Sequence, residues 1–123
     1  MDALKLKEDC TAYVTSHKDY RFEEANSCLG SGKDRVYYYP DFELHTYFNG
    51  EKDLVTQIVF TTDKLATRKG IKLGSTKADV AAAYGEPAEP DFYMYETEDG
   101  RTQFFFENDA VNRIDIYTLD VLS

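Results

Sequence analysis

An internal repetition is the feature of this sequence that most restricts its fold. Residues 3–7 match residues 70–74, because both alternate apolar residues with lysine, and a helix-like segment follows each copy. Three β-rich runs then follow in each copy: residues 37–39, 42–48 and 55–60 in the first, and 93–95, 101–106 and 111–116 in the second. Turn residues separate the runs, as is typical of antiparallel hairpins. The order predicts two units, each a helix followed by an antiparallel meander.

The second copy has the best-defined boundaries. Its first residues, 70–74, have the period-2 alternation of a short, half-buried strand. Thr76 and Asp79 have capping-box spacing, in which the hydroxyl accepts a backbone N–H and the carboxylate lies near the positive end of the helix. Gly85 suits the left-handed position after a helix, and Pro87 prevents continuation. These signals predict a helix that begins after Thr76 and ends before Gly85.

The first copy carries weaker helix signals. Its apolar and aromatic positions at helical spacing are Cys10, Tyr13, Val14 and His17, which share one helix face. Residues 18–34 are polar and include a Gly-Ser-Gly run, which favours a loop. Residues 61–69 are interpreted as the connector between the copies.

These elements predict a single α+β domain covering residues 1–123. Repeat one spans about residues 3–60, the connector 61–69, and repeat two about 70–118. The two meanders are expected to form one sheet of about six antiparallel strands, with both helices on one face.

Composition narrows the choice of partners and compartment. The formal net charge of −9 repels phosphate backbones, and no basic patch offsets it, so nucleic acid is not an expected partner. No apolar run approaches the ~20 residues of a membrane helix. The first residues lack a hydrophobic signal region. The sequence therefore leaves open a cytoplasmic protein or an exported one whose signal has been removed.

The two cysteines permit two interpretations. Cys10 and Cys28 lie 18 residues apart, and no histidine stands at metal-ligand spacing from them. A disulfide here would contribute ~3 kcal/mol by closing a loop. Two buried free thiols are the alternative. The disulfide is favoured, because an N-terminal segment poor in apolar residues benefits from a tether.

Alternation along the strands separates two sheet faces. One face is apolar and should meet the helices, with Tyr37, Tyr39, Leu44, Ile58, Phe60, Phe104 and Ile114 among its members. The other face mixes aromatic, charged and amide groups. Its candidate binding residues are Tyr38, His45, Tyr47, Met94, Phe105, Arg113 and Tyr117. Aromatic residues with arginine and methionine are enriched at interaction surfaces. The alternative is that tyrosine is present only for its strand propensity.

Catalytic and metal chemistry have little support in the sequence. Only His17 and His45 offer imidazole bases, and neither has a serine or cysteine nucleophile at an interpretable spacing. A small hydrolase that uses His45 with a nearby carboxylate remains the alternative to a binding function. Residues 49–53 and 96–99 carry oxygen ligands but do not match an EF-hand loop. No metal, cofactor or catalytic residue is therefore predicted.

Several motifs in the same order resemble an uncharacterised family. They are Ser27-Cys28, Gly32-Lys33-Asp34-Arg35-Val36-Tyr37-Tyr38-Tyr39, Asp41-Phe42-Glu43-Leu44-His45-Thr46-Tyr47, Lys52-Asp53, and residues 67–85. This order resembles secreted lipoprotein domains of clostridia and related Firmicutes over roughly residues 20–118. The fold of that family is similar to that of the β-lactamase inhibitor protein and of the SmpA/OmlA outer-membrane lipoproteins.

The resemblance implies a location and a type of function. It implies an extracellular or cell-surface-anchored protein whose only membrane attachment is a lipid anchor outside this chain. It implies a binding or interaction module, without catalysis, whose partner is a protein or a cell-wall ligand. A structural part of a larger envelope protein is the remaining alternative.

Overall fold

One antiparallel sheet dominates the computed structural model, which describes residues 4–27, 31–90, 92–97 and 100–118. The elements are α1 (Thr11–Ser16), β1 (Arg21–Asn26), β2 (Lys33–Tyr38), β3 (Phe42–Phe48), β4 (Asp53–Phe60), α2 (Lys77–Tyr84), β5 (Tyr93–Thr97), β6 (Gly100–Glu107) and β7 (Ala110–Tyr117). The seven strands found in these residues are ordered β1-β2-β3-β4-β7-β6-β5. The helices have only 6 and 8 residues, so the chain is mainly β with minor α.

The six predicted strands are confirmed. The sheet has a seventh strand, however, formed by residues that were predicted to be a loop. Residues 21–26, predicted as part of a loop, form the edge strand β1, which pairs antiparallel with β2. Every residue of β1 is exposed, so no burial pattern marks it in the sequence. Pairing with β2 holds it instead, aided by an ion pair from Arg35 Nε to Glu24 Oε2 at 2.7 Å. Tertiary pairing has overridden local composition here.

The meanders β2–β3–β4 and β5–β6–β7 have the same pairing pattern. Leu44 pairs with Ile58 in the first, and Phe104 pairs with Ile114 in the second. A register shift follows at the same place in each, between residues 45 and 46 and between residues 105 and 106. Such a shift marks a β-bulge, which bends the strand and increases its twist. The two meanders therefore have equivalent residues, strand by strand.

The two meanders join at the centre of the sheet, where β4 pairs with β7. Ile58 lies opposite Ile116, and Phe60 lies opposite Ile114. Between these pairs, Val59 lies opposite Asp115. Because residue 58 is equivalent to 114, and 60 to 116, exchanging the meanders leaves this pairing unchanged. The middle of the sheet thus has an approximate twofold arrangement.

The segments before the helices dock on β4 and β7 in the same manner. Lys7 N donates to Val55 O at 2.7 Å, and Gly74 N donates to Val111 O at 2.8 Å. Residues 70–74 do not form the predicted short strand; they form turns. Ile71 is nevertheless buried, and its N–H donates to Thr67 Oγ1 at 3.1 Å. Side-chain and turn hydrogen bonds replace strand pairing here. The burial of Ile71 beside the exposed Lys72 accounts for the apolar alternation in the sequence.

A single hydrophobic cluster covers one face of the sheet, here called the inner face. Val14 of α1 and Val80 of α2 both belong to it. The sheet residues in the cluster are Tyr37, Tyr39, Phe42, Leu44, Val55, Ile58, Phe60, Tyr93, Phe104, Val111 and Ile114. Leu44, Val80 and Ile114 have no exposed surface. The apolar face predicted from alternation is therefore the core face.

The predicted boundaries of the second helix are confirmed. Asp79 N donates to Thr76 Oγ1 at 3.1 Å, and Thr76 N donates to Asp79 Oδ2 at 3.0 Å, which completes a capping box. Gly85 follows α2 with φ +96°, a conformation that favours glycine, and its N–H donates to Ala81 O at 2.8 Å.

The first helix is shorter than the spacing of residues 10–17 predicts, and it begins differently. Asp9 Oδ1 accepts hydrogen bonds from Thr11 N and from Asp53 N, at 3.2 and 3.0 Å. The hydrogen bond that the Thr11 hydroxyl donates to Asp9 Oδ1 at 2.6 Å, followed by the one from Asp53 N, lowers the pKa of Asp9. Cys10 is buried and has a free thiol, so the predicted disulfide is not formed in the structure. Its predicted partner, Cys28, lies outside the described residues.

Candidate binding surface

The candidate site is the sheet face opposite the core, here called the outer face. Strand pairing arranges its side chains in rows across the sheet. One row contains Tyr38, Glu43, Val59, Asp115, Gln103 and Met94; the next contains Val36, His45, Gln57, Tyr117, Arg101 and Glu96. All seven predicted binding residues alternate onto this face, and all except Tyr47 are at least partly accessible.

A charged cluster lies at the centre of the outer face. Asp115 is 7% exposed and accepts hydrogen bonds from Arg113 Nε and Nη2, at 2.7 and 3.2 Å. Gln57 Nε2 also donates to Asp115, at 3.2 Å. The hydrogen bond to Asp115 raises the pKa of the Arg113 guanidinium. Both carboxylate oxygens of Asp115 are thus satisfied, as a buried charge requires.

Exposed aromatic side chains lie in the second meander and directly before it. Phe92 is 41% exposed and Phe105 is 37% exposed. Phe92 directly precedes β5 and forms an isolated antiparallel bridge with Glu89, so the pairing of β5 with β6 begins at Tyr93 and Phe104. The Arg113 guanidinium lies 5.7 Å from the centre of the Phe105 ring. We call Phe92, Phe105 and Arg113 the aromatic patch.

A cleft of about 240 Å³ lies on the outer face of the first meander. Its lining residues are Asp34, Arg35, Val36, His45, Thr46, Thr56, Gln57, Tyr117 and Thr118. His45 Nε2 lies 3.0 Å from Glu43 Oε1, so a carboxylate orients the imidazole. The bulge that shifts the pairing between His45 and Thr46 bends the sheet at this point. We call this the His45 cleft.

Two further predicted residues, Tyr38 and Tyr117, contact side chains on other strands of the sheet. Tyr38 Oη donates to Glu23 Oε1 at 2.7 Å, and this hydrogen bond raises the pKa of Tyr38. The Arg21 guanidinium covers the Tyr38 ring, 4.0 Å from its centre. Tyr117 Oη lies 3.5 Å from the Met94 sulfur. The hydroxyl groups of these tyrosines are engaged within the sheet, and their rings remain partly exposed.

Tyr47, the seventh predicted binding residue, is not accessible. It is only 3% exposed, and its hydroxyl accepts a hydrogen bond from Gly32 N at 3.1 Å. A Cβ atom at Gly32 would lie 2.1 Å from Phe48 O, so the backbone approaches this part of β3 as only glycine permits. Tyr47 therefore anchors the segment before β2. The alternation of residues along β3 does not reveal that Tyr47 is buried by another segment.

Sequence reasoning also missed residues that shape the outer face. Phe92 precedes the predicted strand by one residue, and extending the alternation by that residue would have found it. Asp34 and Val36 share the face of Tyr38 by the same alternation. The contribution of the bulge could not be seen, because a bulge breaks the period on which the assignment depended.

The histidines and acidic groups form no metal centre in the described ranges. No group of three or more His, Cys, Asp or Glu side chains is positioned to hold a metal ion there. His17 stacks on Tyr13 with ring centres 4.1 Å apart, and so has a packing role. Within the same ranges, no helix combines the length and apolar character needed to cross a membrane.

Comparison with known proteins gives no relative. No family model matches the chain, and searches of curated proteins and of solved structures find no match. The resemblance to secreted lipoprotein domains therefore stays a prediction.

Proposed function

We propose that this chain is a non-catalytic binding module that holds a protein partner against its outer face. The observation that carries the proposal is the aromatic patch. Phe105 is exposed on the outer face beside Arg113, and Phe92 is exposed directly before β5, whereas Val59, an apolar side chain on the outer face of β4, is only 3% exposed. Phenylalanine beside arginine is a common composition for the centre of an interface.

We propose further that the two meanders are repeats of one helix-plus-meander unit, with both helices on the inner face. The equal register, the bulges at equivalent positions and the matching docking of Lys7 and Gly74 support this. The arrangement fits the fold suggested by the resemblance to inhibitor-like lipoprotein domains. On that basis we place the protein outside the cytoplasm, as part of an envelope or secreted protein.

The inner face cannot serve as the contact surface, because the core and the helices occupy it. The outer face has no helix among the described residues that packs on it, and its centre is fixed by the Asp115 cluster. A rigid, polar centre flanked by exposed aromatic groups limits the ordering cost of binding. Truncation of a central aromatic anchor commonly costs 2 kcal/mol or more, which corresponds to about 30-fold in affinity.

Quantitative capture from the native cell envelope tests the proposal. The bait proteins are the wild type, the double variant Phe92→Ser/Phe105→Ser, and the control Phe22→Ser. Phe22 is 45% exposed but lies at the edge of the inner face, opposite Tyr37, so its loss removes comparable apolar surface elsewhere. We expect one protein to be retained by wild type and control and depleted at least tenfold with the double variant.

Equal recovery of every captured protein by all three baits, each shown to be folded by circular dichroism, would reject the aromatic patch as the contact surface. A protein lost only with Phe22→Ser would assign binding to the β1 edge instead.

The hydrolase alternative has one supporting contact, the His45–Glu43 pair beside a cleft. The residues that line this cleft include threonines 46, 56 and 118 but no serine or cysteine. A histidine–carboxylate pair without a positioned nucleophile lacks the arrangement that covalent hydrolysis requires. Binding is therefore the better-supported function.

A further inference from the structure

Strand β1 ends the sheet on one side, and no strand in the described part of the chain covers its outer edge. Ser27 N donates to Gly32 O at 3.2 Å, which continues the antiparallel pairing of β1 with β2 by one residue. Backbone groups of successive residues point to opposite sides of a strand, so the odd-numbered residues of β1 bond β2. The N–H and C=O groups of Phe22, Glu24 and Asn26 therefore point away from the sheet, where no described residue bonds them.

The other edge of the sheet, at β5, is partly closed by the chain itself. Phe92 N, directly before β5, donates to Glu89 O at 3.1 Å, and these two residues form an isolated bridge. No isolated bridge of this kind involves β1 within the described ranges. Unpaired backbone groups at a sheet edge are the usual site for the addition of a further strand. The edge of β1 is therefore the better site for strand addition.

The side chains of β1 place an aromatic ring on one face and a pair of unlike charges on the other. The Phe22 ring is 45% exposed, and its centre lies 5.1 Å from that of Tyr37. Tyr20, directly before β1, also packs on Tyr37 with ring centres 4.9 Å apart, so the alternation of β1 extends back to Tyr20. On the other face, Arg21 Nη1 lies 3.1 Å from Glu23 Oε2, and both side chains are more than half exposed. An antiparallel copy of the strand reverses the order of these charges.

We infer that β1 pairs antiparallel with β1 of a second copy of this chain, with the twofold axis at Phe22. Outward-pointing backbone groups must face each other, so the axis has to coincide with a residue position of the strand. An axis at Arg21, Glu23 or Glu24 sets identical charges directly opposite each other, which is unfavourable. An axis nearer the end of β1 brings no unlike charges together. An axis at Phe22 joins two phenylalanine rings and sets each Arg21 opposite Glu23 of the other copy, and both kinds of pair stabilise antiparallel strands.

The dimer is separate from the proposed contact with another protein, because β1 and the second meander lie at opposite ends of the strand order. Twofold pairing uses the same patch on both copies and joins the two sheets into one. The contact is small, and the net charge of −9 on each copy opposes it. We therefore expect a weak dimer, with a dissociation constant of roughly 100 µM.

Analytical ultracentrifugation of the full chain, from about 10 µM to about 1 mM, measures this association. We expect the wild type to pass from monomer to dimer over that range. Phe22→Ser should weaken the dimer at least fivefold, because it removes both rings at the axis. The matched control Phe105→Ser removes an exposed ring from the outer face, and should stay within twofold of wild type. Circular dichroism establishes that each variant is folded.

Charge reversal tests the position of the axis. Arg21→Glu makes both charged positions acidic, Glu23→Arg makes both basic, and each variant alone should associate at least tenfold more weakly than wild type. The two substitutions change the net charge in opposite directions, so net charge cannot account for a loss in both. An equimolar mixture of the two variants should recover association to within threefold of wild type, because unlike charges then meet across the axis. Neither variant regains its own Arg21–Glu23 pair in the mixture, so recovery reports the contact between chains.

Amide hydrogen exchange identifies the strand edge that is covered. Exchange at Phe22 and Glu24 should slow about threefold between the lowest and highest concentrations, because their N–H groups acquire acceptors on the second copy. Exchange at Glu23 should not change with concentration, because its N–H already bonds β2.

Three results would each overturn the dimer. They are a wild type that stays monomeric at the highest concentration, equal effects of Phe22→Ser and Phe105→Ser, and a mixture of the charge variants that associates no better than either alone. The measurement needs no other protein. Its failure would leave the aromatic patch untouched as the proposed contact surface, and failure of the capture experiment would leave the dimer untouched.

Discussion

The two meanders have the same strand pairing, but their side chains differ in polarity at equivalent positions of the outer face. At the bulge, the first has His45 followed by the buried Thr46, and the second has Phe105 followed by Phe106. Gln57 in the first is equivalent to Arg113 in the second. As a result, one half of the outer face is a polar cleft and the other half is an exposed aromatic patch. Backbone pairing and bulge placement do not depend on which chemistry the side chains supply.

The difference extends into the core. Asp53, 2% exposed, begins β4 and accepts a hydrogen bond from Tyr37 Oη at 2.5 Å. Its backbone N–H and C=O bond Asp9 and Cys10, so this one residue ties the N-terminal segment to the sheet. The equivalent residue in the second meander, Asp109, lies in the turn before β7 and is exposed. The first meander thus depends on a buried polar network, whereas the second depends on apolar packing.

Asp53→Ala is expected to give the largest difference in stability between a variant of the first meander and a variant of the second. Removing this carboxylate leaves the Tyr37 hydroxyl buried without its acceptor and leaves Arg35 with one fewer partner. We expect a loss of roughly 3 kcal/mol in the free energy of unfolding, measured by urea denaturation at pH 7. The matched variant Asp109→Asn should change stability by less than about 0.5 kcal/mol. Similar losses in the two variants would contradict a polar anchor confined to the first meander.

Sequence reasoning recovered the elements whose signals are local. The cap of α2, its end at Gly85, and the six strands β2 to β7 follow from side-chain spacing within a few residues, and the structure has all of them. It missed β1, since Arg21–Asn26 carries no apolar alternation and is held only by pairing with β2. It also mistook residues 70–74 for a strand, because buried Ile71 alternates with exposed Lys72 in a short segment between two turns.

The candidate site was predictable in part for the same reason. Alternation placed Tyr38, His45, Met94, Phe105, Arg113 and Tyr117 on one face, and pairing brings them into adjacent rows. Alternation cannot report what covers a residue, so buried Tyr47 was included and exposed Phe92 was omitted. It also cannot show which charge partners meet in space, and therefore gave no sign that Asp115 is held by Arg113 and Gln57.

A smaller effect should distinguish the two helix starts. Only α2 has a side-chain cap at its first flanking residue; Cys10, before α1, provides none. Thr76→Ala removes an acceptor from the first turn and should lower the free energy of unfolding by about 1 kcal/mol. Thr76→Ser keeps the hydroxyl and should stay within about 0.3 kcal/mol of wild type. If serine is as destabilising as alanine, the methyl group rather than the cap matters there.

The smallest effect concerns the Cys10 thiol, which directly precedes α1. Burial, with Asp53 and Asp9 nearby, raises the pKa of Cys10 from 9.0 to about 12. Between these values the unfolded chain releases the proton and the folded protein keeps it, so stability falls as pH rises. The loss from Cys10 is about 0.8 kcal/mol at pH 9.5 relative to pH 7. Urea denaturation at both pH values should show it in wild type.

Cys10→Ala isolates this effect from other groups that titrate in base, because the variant should lose about 0.8 kcal/mol less between the two pH values. The same measurement bears on the predicted Cys10–Cys28 disulfide, since a bridged sulfur has no proton to release. Wild type without reductant would then match Cys10→Ala in pH dependence and differ from it once reduced. A pH dependence that is unaffected by reductant would instead agree with the free thiol, and would reject the tether inferred from the spacing of the cysteines.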